Sequence, residues 1–563
     1  MKITEIREKL KTVGVDAYVV SYGNRFLGQD VLPEEHKLKI LCGFSGSAGI
    51  AVVTLNEAFL FVDGRYELQA RAETKSKEIT VIDEMPRFKS VCDLLQQKNI
   101  SAVGYDAWCH SVAEMEYLKR RYREMQFIDI GDLLNINKFR AITAYNRDIR
   151  FTGMSSTDKI TSVTEVLQDY QADAFLFTSA DSVSWLLNLY ARDLPYSPIV
   201  RAYALVSKQG EVELFADDLQ GAMKGKNWEQ FATVLAQMEN TCIMFDAHST
   251  PEKIKMLIGD KVKLIKTKDI CALFKAEKNP AELQGMINCH IRDGVALVKL
   301  LSWLDKHWHG LKEFDVVKKL HEIRTAQENF FSESFATIAG SGPNGAIVHY
   351  QPDAEHNSSL QENTLLLLDS GGQYFDGTTD VTRTIAIGQP TTEMISDFTN
   401  VLKAHIALAR MRFPQNTSGI KLDVIARSVL WQTGQDYKHG TGHGVACFGN
   451  VHEGPISISA GGSDYGFKTN MITSNEPGLY KEGKYGIRIE NLQYTVQSET
   501  ADGFLEFRYL TKVPIDKKLI DKYLLTEGEL AWLNEYHKNV YNSLAPYLNE
   551  IEKVWLKDAC SPL

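Results

Sequence analysis

Apolar residues recur at helical spacing at the start of the chain: Ile3, Ile6, Leu10 and Val13 share one face, and Gly14 follows as a stop. A short apolar run at 17–20 predicts a strand, and the segments GIAVVT and AFLFVDGRY predict two more joined by a turn. The pattern then returns. Ile160, Val163, Leu167 and Tyr170 make a second helical stripe, followed by an apolar run at 172–177. Val15-Asp16-Ala17-Tyr18-Val19-Val20 and Ala172-Asp173-Ala174-Phe175-Leu176-Phe177 enter their strands through the same Asp-Ala step. Helix, Asp-Ala plus strand, then further strands in both places predicts two related α/β domains, at 1–150 and 151–278.

A third domain, 279–563, opens on Asn279-Pro280-Ala281-Glu282. Asn caps a helix, Pro suits its first position, and Glu at the third closes a capping box. Leu283, Met286, Ile287, Leu297, Leu301 and Leu304 mark the long helix that follows. Near the end, Thr526 and Glu529 cap a last helix carrying Trp532 and Leu533.

Composition narrows the class. At 563 residues the chain calls for two to four domains, and 44% hydrophobic with 24% charged residues is the balance of a soluble globular protein. A net charge of −10 argues against a nucleic-acid or anionic-membrane partner. The eight cysteines are scattered with no CxxC pair, which fits free thiols in a reducing compartment. The first residues hold no apolar signal core, and no run approaches the ~18 apolar residues of a membrane span. A cytoplasmic protein is expected.

Three familiar motifs fail on inspection. Gly340-Ser341-Gly342-Pro343-Asn344-Gly345 matches a dinucleotide fingerprint in letters, but Leu360 stands where the acidic partner belongs and no long helix follows. GFSGSAG at 43–49 is not a nucleophile elbow. His439 and His443 are four apart as in a zincin, yet Gly440, Gly442 and Gly444 interleave them and the HExxH glutamate is missing. An extended or looped segment is expected there.

The stretch 365–490 carries the chemistry. Asp369 ends a run of four leucines, which suits a buried strand, and Asp380 opens the alternating strand 381–387. Asp376-Gly377 between them signals a hairpin turn. A two-residue turn at that pair sets Asp380 opposite Gln373, on the face of Asp369 but about 13 Å along it, too far to share a metal. A bulge or longer turn, at Gly371-Gly372 for example, must close the gap. Arg488 and Glu490 share a face of another strand, and Glu476 precedes the turn pair Pro477-Gly478. A lone acid is more often a surface charge. Several carboxylates on buried strands, however, repel one another and protonate unless cations sit among them. Two divalent ions would balance Asp369, Asp380, Glu476 and Glu490, with His443 as a fifth ligand. This oxygen-rich set favours Mn²⁺, with Co²⁺, Fe²⁺ or Zn²⁺ as alternatives, and two such ions would acidify a bridging water.

The ordered blocks DSGGQY-x-DGTTDVTRT, HGTGHGVACFGNVHEGP, NEPGLY and GIRIEN resemble the Xaa-Pro aminopeptidases (aminopeptidase P) of the long, three-domain, cytosolic type in the pita-bread metallopeptidase family. The stretches VDAYVV…GFSGSAG…DGRY and WLLNLYARDLPYSP extend the resemblance over nearly the whole chain. It implies an α/β and α+β multidomain fold, two creatinase-like N-terminal α/β domains followed by a C-terminal pita-bread catalytic domain. It further implies that Asp369 binds one ion, that His443 and Glu476 bind the other, and that Asp380 and Glu490 bridge both. Glu476 would also take a proton from the attacking hydroxide. His349, His439 and His452 match active-site histidines outside the metal shell, and Arg488 matches an arginine that holds an acid in place. The implied reaction releases an N-terminal residue when proline is second, and the implied assembly is a homodimer. A prolidase restricted to Xaa-Pro dipeptides is the nearest alternative; a metal-free peptide- or histone-binding module on the same fold is the remote one.

Overall fold

The computed structural model describes residues 3–28, 31–74, 78–136 and 141–563; Met1 and Lys2, at the head of the expected first helix, lie outside them. The chain divides into two compact units. The first comprises Met1–Arg147, Met154–Leu194 and Ile199–Ala272, and the second Asp148–Gly153, Pro195–Pro198 and Leu273–Leu563.

The first unit holds two sheets of one plan. In one, Ala17–Ser21 pairs antiparallel with Ile50–Thr54, which pairs antiparallel with Ala58–Val62; on its other side lie Ala102–Tyr105 and Gln126–Asp129, both parallel. In the other, Ala174–Phe177 takes the same central place, with Ala202–Ser207 and Val212–Ala216 antiparallel on one side and Cys242–Asp246 and Lys263–Thr267 parallel on the other. Thr80–Asp83 adds an edge strand to the first sheet alone. The repeats meet through reciprocal backbone bonds. Val112 N donates to Thr250 O and Glu252 N to His110 O; Ala113 N donates to Ala247 O and Lys253 N to Ala107 O. Each bond recurs 140 residues on with donor and acceptor exchanged, the self-complementary pattern of a two-fold contact.

The two helical stripes are narrower than expected. Helix Ile3–Val13 buries Ile3, Ile6 and Leu10 and stops at Gly14 with φ +76°, but Val13 stays half exposed. Helix Ser156–Asp169 buries Val163 and Leu167, while Tyr170 falls beyond its last turn and is exposed. Lys159 takes a buried place instead, because the Trp185 carbonyl and Asn188 Oδ1 satisfy its ammonium.

In the second unit, helix Pro280–His307 starts with the expected capping box, Asn279 Oδ1 accepting from Ala281 N and Glu282 N. It packs with helix Glu313–Thr325 on one side of the strand Thr364–Ser370, where Leu366 and Leu368 join Leu297, Leu301 and Leu320. Leu365 instead packs with Phe398 and Val401 of helix Thr392–Ala409. Covered on both faces, this strand reads as a leucine run rather than an alternation. A four-stranded antiparallel sheet follows, in the order Arg412–Pro414, Phe504–Tyr509, Asn491–Gln497, Ile472–Asn475. Helix Glu527–Leu544 has the expected Thr526 cap but is not the last: Glu550–Ala559 follows, with its own capping box from Asn549 and Glu552.

Candidate metal centre

The aspartate hairpin keeps one register from end to end. Asp369 lies opposite Thr382 in the ladder between Thr364–Ser370 and Val381–Ile387, and Tyr374 lies opposite Gly377 at the tip. The turn is therefore Phe375-Asp376, one residue earlier than the Asp376-Gly377 expectation, and Asp380 comes opposite Gly371 rather than Gln373. Asp369 and Asp380 share a face two residues apart, about 7 Å along the strand. No bulge is needed. Near Gly371-Gly372 the backbone pairing is halved: Thr379 N still donates to Gly372 O at 2.9 Å, but Gly372 N donates to Thr379 Oγ1 at 2.8 Å, while Ser334 N donates to Gly371 O and Ser334 Oγ to Thr379 O.

His443 enters from the two-residue strand Gly442–His443, so the segment is extended and not a zincin helix. A Cβ on Gly442 would meet the Ser474 carbonyl at 2.1 Å, and one on Gly444 the Glu453 carbonyl at 2.1 Å, so the interleaved glycines let strands cross at close range. His443 Nδ1 donates to Gly444 O at 3.0 Å, which turns Nε2 toward Asp380 Oδ2 and Glu476 Oε1, each 3.4 Å away. Ser474 Oγ supports both partners, accepting from His443 N at 2.9 Å and donating to Glu476 Oε1 at 3.2 Å. Glu476 follows the end of strand Ile472–Asn475, and its N–H donates to Thr441 O. Glu490 lies between the strands Tyr485–Arg488 and Asn491–Gln497; its Oε2 accepts from Thr382 Oγ1 at 2.7 Å. One donor atom from each of Asp380, His443 and Glu490 lies within 4.8 Å of the others.

Arg488 reaches the far side of the cluster. Its Nη2 donates to Asp369 Oδ2 at 2.6 Å and its Nε to Thr382 Oγ1 at 3.1 Å, so it holds Asp369 directly and meets Glu490 through Thr382. Asp369 Oδ1 is buried without a hydrogen-bond partner.

Electrostatics follow from this crowding. Burial, reinforced by Asp380 and only partly offset by Arg488, pushes Asp369 up to about 6. Burial pushes Glu476 up to about 7 against the pull of His443 and Arg488. Burial together with the charges of Asp380 and Glu476 drives Glu490 well above the carboxylate range. Burial would lower His443, but Asp380 and Glu476 outweigh it and raise the imidazole to about 9. Such a cluster is short of positive charge. An unpartnered carboxylate oxygen, an imidazole fixed through Nδ1, and hard oxygen donors around it all fit divalent cations.

The remaining histidines stand around this set. His439 Nδ1 donates to Gly440 O, and its Nε2 lies 2.8 Å from the Tyr480 hydroxyl, which accepts from Arg488 Nη1 at 2.7 Å. His452 is exposed and sets its ring edge-on to His443, centroids 4.2 Å apart. His349 is half-buried and follows Val348, whose carbonyl lies 3.4 Å from Arg488 Nη1. The loop Gly342–Ala346 is a short 3-10 turn, as its glycines suggest, and not a nucleotide-binding helix start.

Residues 284–496 match the model of metallopeptidase family M24, a span that encloses every residue named in this site, and 503–563 match the C-terminal region of that peptidase group. Residues 2–142 and 140–282 each match the creatinase/prolidase N-terminal domain. The "Probable Xaa-Pro aminopeptidase P" of Laccaria bicolor is 36% identical over 100% of this chain and 93% of its own. Aminopeptidase P2 of Arabidopsis thaliana is 34% identical over 100% of this chain and 88% of its own. The X-prolyl aminopeptidase of Caenorhabditis elegans, described as a cytosolic enzyme with a di-nuclear active site, superposes with a TM-score of 0.92 at 32% identity, covering both chains completely. The chain belongs to the Xaa-Pro aminopeptidase P group of family M24. Its fold is accordingly two creatinase-type N-terminal domains followed by a pita-bread metallopeptidase domain.

Three residues of this aminopeptidase P site escaped the reading of the sequence. Thr382 joins Arg488 to Glu490, and its signal was available: it alternates with Asp380 along one strand face. Tyr480 lies inside the NEPGLY block, and burial pushes its hydroxyl up to about 12. Ser474 carried no signal, since a serine in a strand announces nothing about its partners. Among the described residues no helix is long and apolar enough to cross a membrane.

Proposed function

We propose that this metallopeptidase releases the N-terminal residue from peptides with proline in the second position, using two divalent ions, Mn²⁺ by preference. The observation that carries the reading is the meeting of donor atoms from Asp380, His443 and Glu490 within 4.8 Å, with Glu476 beside them and Asp369 facing the same way along the hairpin. In this reading Asp369 holds one ion, His443 and Glu476 the other, and Asp380 and Glu490 both. Two divalent ions bound there supply an acidified water and a polarised scissile carbonyl.

The chain's own residues do the rest. Glu476, 3.4 Å from His443 Nε2 at the edge of the cluster, takes the proton from the attacking water. Arg488 turns Asp369 into the site and offsets part of the cost of its buried charge. Tyr480, held between Arg488 and His439, orients the histidine toward the reacting carbonyl. His349 and His452 line the approach of the peptide. A bond to proline nitrogen lacks an N–H and has a fixed φ, so a dedicated pocket is what a general peptidase lacks. The full-length likeness to Xaa-Pro aminopeptidases supports this specificity over that of a prolidase. We assign the division of labour to two N-terminal domains, 1–150 and 151–278, and a catalytic domain, 279–563, acting in a cytoplasmic homodimer, as the family likeness suggests.

Competition between Arg-Pro-Pro and Arg-Pro tests the substrate. Release of arginine from the tripeptide is expected; cleavage of the dipeptide alone would make the protein a prolidase.

A further inference from the structure

Behind the aspartate hairpin, on the face away from the metal ligands, lies a buried polar cluster. Asp293 of helix Pro280–His307 and Arg324 of helix Glu313–Thr325 are 1% and 0% exposed. Arg324 donates to both carboxylate oxygens of Asp293, at 2.8 and 3.2 Å. It also reaches the hairpin, donating to Ser370 Oγ at 3.0 Å and to the Gly371 carbonyl at 3.2 Å. Asp293 accepts in addition from Thr379 Oγ1 at 2.9 Å, and Thr379 Oγ1 in turn accepts from Gly372 N.

These contacts fall where the ladder between the hairpin strands is interrupted. Ser370 and Thr379 are the immediate neighbours of Asp369 and Asp380, and alternation points their side chains to the opposite face. There a single cross-strand backbone bond, Thr379 N to Gly372 O at 2.9 Å, remains to fix the strand separation. Ser334 and Thr379 Oγ1 take up the freed backbone groups, and behind them Asp293 and Arg324 brace both strands: Arg324 holds Ser370 and Gly371, and Asp293 holds Thr379. A buried charge pair with every remaining donor and acceptor satisfied is a stiff spacer.

We propose that Asp293 and Arg324 are positioning residues that set the separation of Asp369 from Asp380, and thereby hold the ion on the Asp369 side in place. This rests on the reading of Asp369 and Asp380 as metal ligands. The ion on the His443 side shares Asp380 but takes His443 and Glu476 from other strands, so it depends far less on the pair.

Removing Asp293 would strand a buried guanidinium, so the test works at the contacts. Thr379→Val keeps the shape and removes the oxygen, Ser370→Ala removes the Arg324 acceptor, and Thr379→Ser restores the oxygen. Mn²⁺ binding to metal-stripped protein is followed by equilibrium dialysis, beside the thermal midpoint of each metal-free variant and Asp380→Ala as control. Thr379→Val and Ser370→Ala are expected to weaken one of two Mn²⁺ by about 10- to 100-fold, the usual effect of losing support behind a ligand, with the other within about twofold and Thr379→Ser near the parent. Two ions at parental affinity in Thr379→Val and Ser370→Ala would overturn the proposal. So would equal weakening of both ions together with a lowered midpoint, which marks a general loss of structure. Parental binding of both ions by Asp380→Ala would overturn the ligand reading itself, and the proposal with it.

Discussion

Asp369, Glu476 and His443 titrate at about 6, 7 and 9 in the cation-free site, so at neutral pH the cluster carries protons that a metal must displace. The sign is the same for all three. Each folded-state pKa lies above its unfolded value, so the proton-linked stability is full below the unfolded pKa and lost as pH rises through the folded one. Buried His537 runs the other way: burial, with Arg383 and Lys517, lowers it to about 3, and its contribution is lost as pH falls from about 6.5 toward 3. Comparing loaded with metal-stripped protein cancels that term. The gap in thermal midpoint is expected to widen from pH 6 to pH 9, with Mn²⁺ affinity rising about tenfold per pH unit for each proton expelled. A gap that narrows over this range would contradict the cluster's charge state. Tyr480→Phe, which cuts the link between Arg488 and His439, is expected to lower kcat about a hundredfold with little change in KM or in bound metal. Equal kcat would remove Tyr480 from the mechanism.

Element by element, the acids were legible because each ends or opens an apolar run, where a charge has no reason to be unless it has partners. Their spacing was not. Asp376-Gly377 is the stronger turn signal, yet the turn is Phe375-Asp376, because Gly377 is needed inside the strand: a Cβ there would meet Cys289 Sγ at 2.6 Å and Met286 Sδ at 2.9 Å. Tertiary packing against helix Pro280–His307 thus overrode local turn chemistry and brought Asp380 two residues nearer to Asp369. Gly371 is constrained in the same way, since a Cβ would lie 1.9 Å from the Thr379 carbonyl. Gly371→Ala is expected to spread the hairpin, cost about 1–3 kcal/mol of stability and weaken metal binding, read by urea unfolding and dialysis. The two glutamates share a clamp that the sequence did not announce. Asn475 and Asn491, their neighbours, are ladder partners; His405 lies 3.0 Å from the Asn475 carbonyl and 3.3 Å from Asn491 Nδ2.

At the scale of the molecule, the Asp-Ala step before the central strands revealed the repeat, but a second echo passed unseen. Tyr105-Asp106-Ala107 and Phe245-Asp246-Ala247 end equivalent strands, and from there the chain crosses to bond with the other repeat. Only the fold shows that these short loops carry the reciprocal contact. Glu252, buried in it, accepts from the Tyr105 hydroxyl and from Lys119. Glu252→Ala is expected to destabilise the N-terminal unit by about 1–3 kcal/mol, seen in its unfolding transition, with peptide cleavage at 25 °C unchanged. The central claim is the dinuclear peptidase itself. Its most direct test is hydrolysis of Arg-Pro-Pro by metal-stripped protein, before and after addition of Mn²⁺, with Asp380→Ala alongside. The account predicts no cleavage without metal, restoration at two Mn²⁺ per chain, and none in the variant at any Mn²⁺ concentration. Cleavage by the stripped protein, or by Asp380→Ala at the parental rate, would contradict it.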